Sequence, residues 1–334
     1  MDSYMNILSS IHLYPPEHLC GAEFMLHGIN KHMQGKGDTV KVLLHQANQY
    51  KIESHYIYDN VDVFPPDQNT TLNLFRWADM AFTHLDYTNW TIGMGAIQRR
   101  PVFHLIHNTH KSLNIQTAEK PQFIVYNSEW AKQELGYKHD SIVLHPPVDW
   151  RFYDTNIDPS LNEAITLINL DFNKGGDILR QIAEAMPHRK FIGVIGSYSE
   201  PWVIGQFKNQ PKNVTVVPKT DNIRAIYRQT RILIMPSKYE SWGRTATEAM
   251  CSGIPVISTG TPGLQENCGK AGIYVDRENV SAWVDEIERL FKPRAYAKAS
   301  LAAKVRSREL DPVAELDALH GFLRRSVEWY KLHA

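Results

Sequence analysis

The chain has 334 residues, with 36 Lys and Arg against 36 Asp and Glu, 43% hydrophobic and 22% charged residues. That is ordinary globular composition, long enough for two domains with sizeable cores. It excludes low-complexity and strongly basic nucleic-acid-binding classes, and no apolar run approaches the ~20 residues of a membrane helix.

Residues 1–150 carry 11 Lys and Arg against 15 Asp and Glu, and they hold 12 of the 15 histidines. An acidic first half argues against a polyanionic acceptor such as DNA. Cys20, Cys251 and Cys268 have no metal-ligand spacing. With no leader-like opening stretch, they set the expectation of free thiols in a reducing cytoplasm.

Met5 to Ser10 predicts a first strand, Tyr14 to Glu17 a loop, and Gly21-Ala22-Glu23 the start of an amphipathic helix to about Gln34. Val40 to Leu44 is a second strand, so the opening is a β–loop–α–β unit with glycine at the loop-to-helix junction. Such a junction turns unpaired helix N–H groups toward a ligand. No G-x-G-x-x-G is present, which leaves a dinucleotide reading with little support. Ala78 to His84 is strand-like, with Asp86 and Tyr87 just beyond it.

Val102 to Ile106 is another strand, and His104, His107 and His110 follow at intervals of three. Residues three apart on an extended strand alternate faces, so these rings cannot converge on one ion, and no metal is expected. A single working imidazole at the strand end and a structural histidine are the two readings of His107. Gln122 to Asn127 is a strand, and Ser128 caps the helix after it. Ile142 to Leu144 ends the first half, and residues 150–162, rich in Asp, Asn and Pro, read as a linker.

The second half restarts with a strand, Ala164 to Leu170, then Lys174-Gly175-Gly176 before a helix from Ile178 to Met186. Lys174, in a loop ahead of a helix, suits a diphosphate as a point charge. Lys190 to Ile195 is a strand with Gly196-Ser197-Tyr198 at its end. Val214 to Val217 is a strand ended by Pro218-Lys219, and Asp221 caps the next helix.

Ile232 to Met235, ended by Pro236, then leads into Ser237 to Ser258, SKYESWGRTATEAMCSGIPVIS. This stretch reads as loop, helix and strand. Glu240 stands in the turn, Ser241-Trp242-Gly243 tightens it, and Arg244 and Thr245 open the helix that carries Glu248. The first turn of a helix leaves N–H groups unpaired, and glycine lets a ligand approach the backbone. Glu240 can accept hydrogen bonds from sugar hydroxyls and Glu248 from a ribose. Thr261 to Glu266 is a glycine-containing loop, Ile273 to Asp276 a last strand. The final helix follows Asp311-Pro312, with Val313, Leu316, Leu319, Phe322 and Leu323 as an apolar stripe.

Pro236-Ser237, Glu240, Trp242-Gly243, Glu248-Ala249-Met250 and Gly253-Ile254-Pro255-Val256 together resemble the signature of retaining glycosyltransferases of family 4. The resemblance implies an α/β GT-B architecture, two Rossmann-like domains with parallel sheets facing across a cleft. It implies domains at 1–152 and 153–308, and a helix, 309–334, returning to the first. It implies a retaining, metal-independent transfer of a sugar from a nucleoside diphosphate to an acceptor hydroxyl, with no cofactor beyond a UDP- or GDP-linked co-substrate. His107, Lys174, Glu240 and Arg244 are then the candidate catalytic residues.

Donor contacts on the same resemblance are Gly21, Ala22, Asn169, Lys174, Gly175, Gly196, Pro218, Lys219, Glu240, Ser241, Trp242, Gly243, Arg244, Thr245 and Glu248. His12, Asp86, Tyr87 and His110 are the candidate acceptor contacts. The chain departs from the family in several places, Asn108 after His107 where an Asp is usual among them. Cys20 replaces a glycine, Pro146-Pro147 an Asn-Gly, and Asn169-Leu170 a Gly-Arg, so that Arg244 is the candidate to supply the missing cation.

The acceptor is left open among a glycan, a lipid-linked sugar, a small molecule and a modified DNA base. Two rival functions share the fold: transfer to a hydroxymethylated base in DNA, and a non-catalytic sugar-nucleotide-binding module. A phosphorylase or a sugar epimerase is a further alternative.

Overall fold

A computed structural model describes residues 4–16, 18–114, 123–196, 205 and 209–333. Glu17, Gln122, Ser197 and Tyr198, each placed above in a loop or at a strand end, lie outside these. The chain forms two compact units, one of Met1–Pro147 with Pro312–Ala334, the other of Val148–Asp311.

The first unit is built on eight strands: β1 Asn6–Ile11, β2 Thr39–Leu44, β3 Tyr56–Tyr58, β4 Val61–Phe64, β5 Met80–Thr83, β6 Val102–Ile106, β7 Phe123–Tyr126 and β8 Ser141–Val143. Their order is β3-β4-β2-β1-β5-β6-β7-β8. Neighbours run parallel except β3 and β4. Strands covered on both faces read as near-continuous apolar runs, which is what β6 and β7 are. The Gly21–Gly35 helix follows β1 and buries Met25, Leu26, Ile29 and Met33, one stripe at helical spacing.

Leu316, Leu319, Leu323 and Val327 of the last helix, Val313–His333, enter the same core. Phe322 packs against it half-buried, whereas Val313 is 52% exposed and falls outside the stripe the sequence suggested.

The second unit has six strands: β9 Ala164–Ile168, β10 Lys190–Val194, β11 Val214–Val217, β12 Thr230–Met235, β13 Val256–Ser258 and β14 Ile273–Tyr274. Their order is β11-β10-β9-β12-β13-β14, all parallel. One face packs on Ala246, Ala249 and Met250 of the Arg244–Cys251 helix. The other packs on Ile178, Leu179 and Ile182 and on Trp283, the largest fully buried side chain among the described residues. No helix among the described residues is long and apolar enough to cross a membrane.

Three local expectations need correction. Thr261 to Glu266 is not a loop: Pro262–Cys268 is a helix, with proline in its first turn. Residues 150–162 are not a linker: Trp150–Tyr153 is a short helix and Pro159–Leu161 a 3-10 turn. Asp149, just before the range, and Asp158 cap these turns, accepting from Arg151 N and Ser160 N, each at 2.9 Å. Turn chemistry and linker composition use the same residues, so the two look alike in sequence. The helix at Ile223–Tyr227 is capped by Asn222, which accepts from Ala225 N at 3.3 Å, rather than by Asp221.

In each sheet the chain runs outward on one side and then returns to the other side of its first strand. The reversals fall between β1 and β5 and between β9 and β12. Ligands of open α/β sheets bind beyond the strand C-termini at such points.

Trp283→Ala is expected to lower the unfolding free energy by about 3–5 kcal/mol, because it removes a ring from a closed core. A denaturant titration followed by circular dichroism measures it; a midpoint unchanged from the wild type would show that the core closes without the ring.

Candidate functional site

In the second unit, the loops beyond β9 and β12 are stitched together. Lys238 N donates to Asn173 O at 2.8 Å. Gly175, at φ +96°, lies so close to Pro236 that a Cβ would fall 2.3 Å from its Cγ. Arg277 Nε donates to Pro236 O at 3.0 Å, and its Nη2 to Phe172 O at 3.2 Å and to Asp177 at 2.8 Å.

This closure brings Lys174 Nζ to 2.6 Å from Glu240 Oε1. Ser237 Oγ donates to the same oxygen at 3.0 Å. Glu240 is buried, and Lys174 keeps about a third of its side chain in solvent. The turn that carries Glu240 rests on Gly263, where a Cβ would lie 2.4 Å from Glu240 O.

Eight residues on, Glu248 is buried in a separate network. Arg244 Nε donates to its Oε1 at 2.7 Å, one helical turn away, and Tyr227 OH to its Oε2 at 2.8 Å. Arg244 Nη2 also reaches Tyr153 OH at 3.3 Å. Burial pushes the Arg244 guanidinium down, but Tyr153 and Glu248 more than reverse this and hold it charged. Burial, with Glu248 beside it, pushes the Tyr227 hydroxyl well up, so it stays a donor. The two carboxylates therefore have one cation each. Arg244, expected as a cation for a diphosphate, is engaged with Glu248 and Tyr153.

The remaining second-unit candidates spread around this centre. Gly243, at φ +84°, makes the turn; a Cβ there would meet Leu264 Cδ2 at 2.5 Å. Trp242 is buried, so its ring is a packing element, while Ser241 and Thr245 are half-buried at the helix start. Thr245 Oγ1 lies 3.7 Å from Met235 Sδ. Asn169 fills the space beside Gly196, where a Cβ would sit 2.4 Å from its Cγ. Pro218 and Lys219 are exposed beyond β11.

In the first unit, histidines gather at the β1–β5 reversal. His12 follows β1 and places Nε2 3.0 Å from Glu23 Oε1. His84 follows β5, and its Nδ1 lies 2.9 Å from Nε2 of His107, which follows β6. Rings of His12 and His84 are 5.0 Å apart.

Burial lowers His107 to about 4, with His12 adding to the shift and Glu23 opposing it. Burial and His107 lower His104 to about 3, and burial lowers His45 to about 4. Burial, His107 and His12 hold His84 well below the usual imidazole range. Burial would raise Glu23, but the His12 and His18 rings beside it hold it below the ordinary carboxylate value.

Gly21 is exposed at the helix start, with nothing within 4 Å of where a Cβ would stand, and Ala22 is half-buried. Tyr87 stacks on His45 at 4.3 Å, and Asp86 beside it is exposed. His110 is exposed, and His104 is buried in β6 beside Thr88. Among the described residues, His104, His107 and His110 form no metal-binding group.

Sequence reasoning did not single out Tyr153, Tyr227, His84, Glu23 or Arg277. Tyr153 lay in the expected linker. His84 carried the one usable signal, a polar residue closing an apolar strand.

The depressed histidine values have a definite sign. As pH falls below about 6.5 the unfolded chain takes up protons that the folded chain refuses, so stability is full above that value and drains away toward about 4. Urea midpoints are expected to drop steadily from pH 7 to 4.5, and less steeply for His104→Gln; a flat profile would contradict the buried neutral rings. Gly263→Ala is expected to destabilise by about 1–3 kcal/mol, since backbone cannot give way as a side-chain tip can. Thermal unfolding measures this.

Residues 167–293 match the family model described as glycosyl transferases group 1. Among curated proteins, D-inositol 3-phosphate glycosyltransferase of Corynebacterium urealyticum is 38% identical over 72 residues, 21% of this chain and 17% of that protein. The Mycolicibacterium smegmatis protein of the same name is 25% identical over 216 residues, 55% of this chain and 49% of that one. The chain thus spans about half or less of the length of these relatives.

Solved structures agree over nearly the whole chain. Anabaena HepE in complex with UDP-glucose superposes with a TM-score of 0.79 at 16% identity, covering 97% of this chain and all of that one. Sucrose-phosphate synthase from Thermosynechococcus elongatus gives 0.77 at 16% identity, covering 96% and 99%. The chain has the GT-B fold, and its residues 167–293 carry the match to group 1 glycosyl transferases.

Proposed function

We infer that the protein is a retaining glycosyltransferase that moves a sugar from a nucleoside diphosphate to an acceptor hydroxyl. One observation carries this reading: two buried carboxylates, each paired with a cation, stand around the β9–β12 reversal, within the stretch that matches group 1 glycosyl transferases. Anabaena HepE, of the same fold, is solved with UDP-glucose, which supports a sugar nucleotide as donor.

In this reading Lys174 exchanges Glu240 for the diphosphate. Glu240, released, accepts hydrogen bonds from donor-sugar hydroxyls, and Glu248 accepts them from the ribose. Arg244 acts through Glu248, holding its carboxylate in place and aimed.

The bond from the anomeric carbon to the phosphate oxygen breaks, and the diphosphate leaves with the electron pair. The acceptor oxygen bonds to the same face of the sugar, and its proton passes to the leaving phosphate. Positive charge from Lys174 and the helix N-terminus at Arg244 stabilises that phosphate, so the step asks for no metal at the donor. Neutral His107 is available to accept or donate a hydrogen bond to the donor. Its low value makes it a poor carrier of positive charge at neutral pH.

Lys174→Ala is expected to lower sugar transfer or hydrolysis from UDP- and GDP-linked sugars by at least ~100-fold while circular dichroism stays native. A purified Lys174→Ala protein that turns over donor at the wild-type rate would remove the lysine, and this reading with it.

A further inference from the structure

Glu23 is fully buried, in the first turn of the helix that follows β1. A fully buried carboxylate needs positive charge or hydrogen-bond donors beside it. His12 Nε2 stands 3.0 Å from Oε1, yet neither oxygen of Glu23 has an aligned hydrogen-bond partner among the described residues. The ring nitrogen and the carboxylate oxygen thus lie at the spacing of two ligands of one ion.

His84 supplies a third donor. Its Nδ1 is taken up by His107, and its Nε2 is fully buried without a partner. One ligand atom from each of His12, Glu23 and His84 lies within 4.8 Å of the other two. A tetrahedral ion with bonds of ~2.1 Å separates its ligands by about 3.4 Å, so small rotations of the side chains close the set. A second group, His18, Cys20 and the same Glu23, meets the same distance. Cys20 stands one residue before the helix.

We propose that His12, Glu23 and His84 hold a divalent transition-metal ion of the zinc class. Two imidazoles and a carboxylate, with a thiol close by, suit zinc and not magnesium or calcium, which take oxygen ligands. Three protein ligands leave a fourth position for water or substrate. The site belongs wholly to the first unit. Ligation through Nε2 would also fix the proton of His84 on Nδ1, so that His84 donates to His107. The ion thereby orients the imidazole assigned above to the donor.

The test uses the whole purified chain, stripped with a chelator and titrated with zinc chloride by calorimetry, with bound metal counted by mass spectrometry. One zinc per chain is expected, with a raised unfolding temperature. Glu23→Gln and His84→Gln, near-isosteric changes, are expected to weaken binding at least ~100-fold. His188→Ala, an exposed histidine paired with Glu288, is expected to bind as the wild type does.

Wild-type protein that takes up no stoichiometric zinc, or Glu23→Gln and His84→Gln variants that bind as tightly as the wild type, would overturn the proposal. Should either variant fail to fold, cobalt(II) loaded into the wild type decides. The intense visible absorption of a four-coordinate ion supports the site, and the weak bands of a six-coordinate one refute it.

Discussion

Two carboxylates buried eight residues apart leave two uncompensated charges unless each has a partner beside it. In the second unit Lys174 serves Glu240 and Arg244 serves Glu248, at 2.6 and 2.7 Å. Much of the local structure exists to make those approaches possible. Gly175 lets the β9 loop lie on Pro236, Gly243 makes the turn between the glutamates, and Gly263 supports that turn from below. Arg277 ties both loops and the following helix into one block. The two pairs differ in setting. Arg244 is largely buried and lies against Tyr153, while Lys174 still meets solvent.

The first unit repeats the topology with different chemistry. Its reversal, between β1 and β5, gathers rings instead of ion pairs: His12, His84 and His107 around Glu23. Burial keeps His84 and His107 neutral, so they act as hydrogen-bonding surfaces with lone pairs. One sheet plan therefore yields a charged half in one unit and a mostly neutral, acid-centred half in the other. The strand ends specify where polar groups gather, and the residues placed there decide the chemistry.

The parallel sheets were legible because buried strands are written as plain apolar runs, as in Val102–Ile106 and Ile232–Met235. Glu240 and Glu248 were legible because a strand, a glycine turn and a helix bracket them. Their partners were less so. Arg244 is visible beside Glu248 at helical spacing, but Tyr153 and Tyr227 reach that carboxylate and its arginine from segments distant in sequence. The pairing of His84 with His107, 23 residues away, depends on β5 and β6 being neighbours, which is a property of strand order and not of spacing. Residues 150–162 misled because caps and linkers draw on the same Asp, Asn and Pro.

The short contact between Lys174 and Glu240 has a consequence for selectivity. Lys174 already has an anion, so a newcomer must offer a better one in the same place. A free neutral sugar brings no charge to exchange for the carboxylate and leaves the pair shut. In the proposed function, a diphosphate would bring two negative groups and free Glu240 for the sugar attached to it. In that function the resting ion pair would act as a lock that opens to the phosphate end of a ligand before its sugar end can be gripped, which would impose an order on recognition.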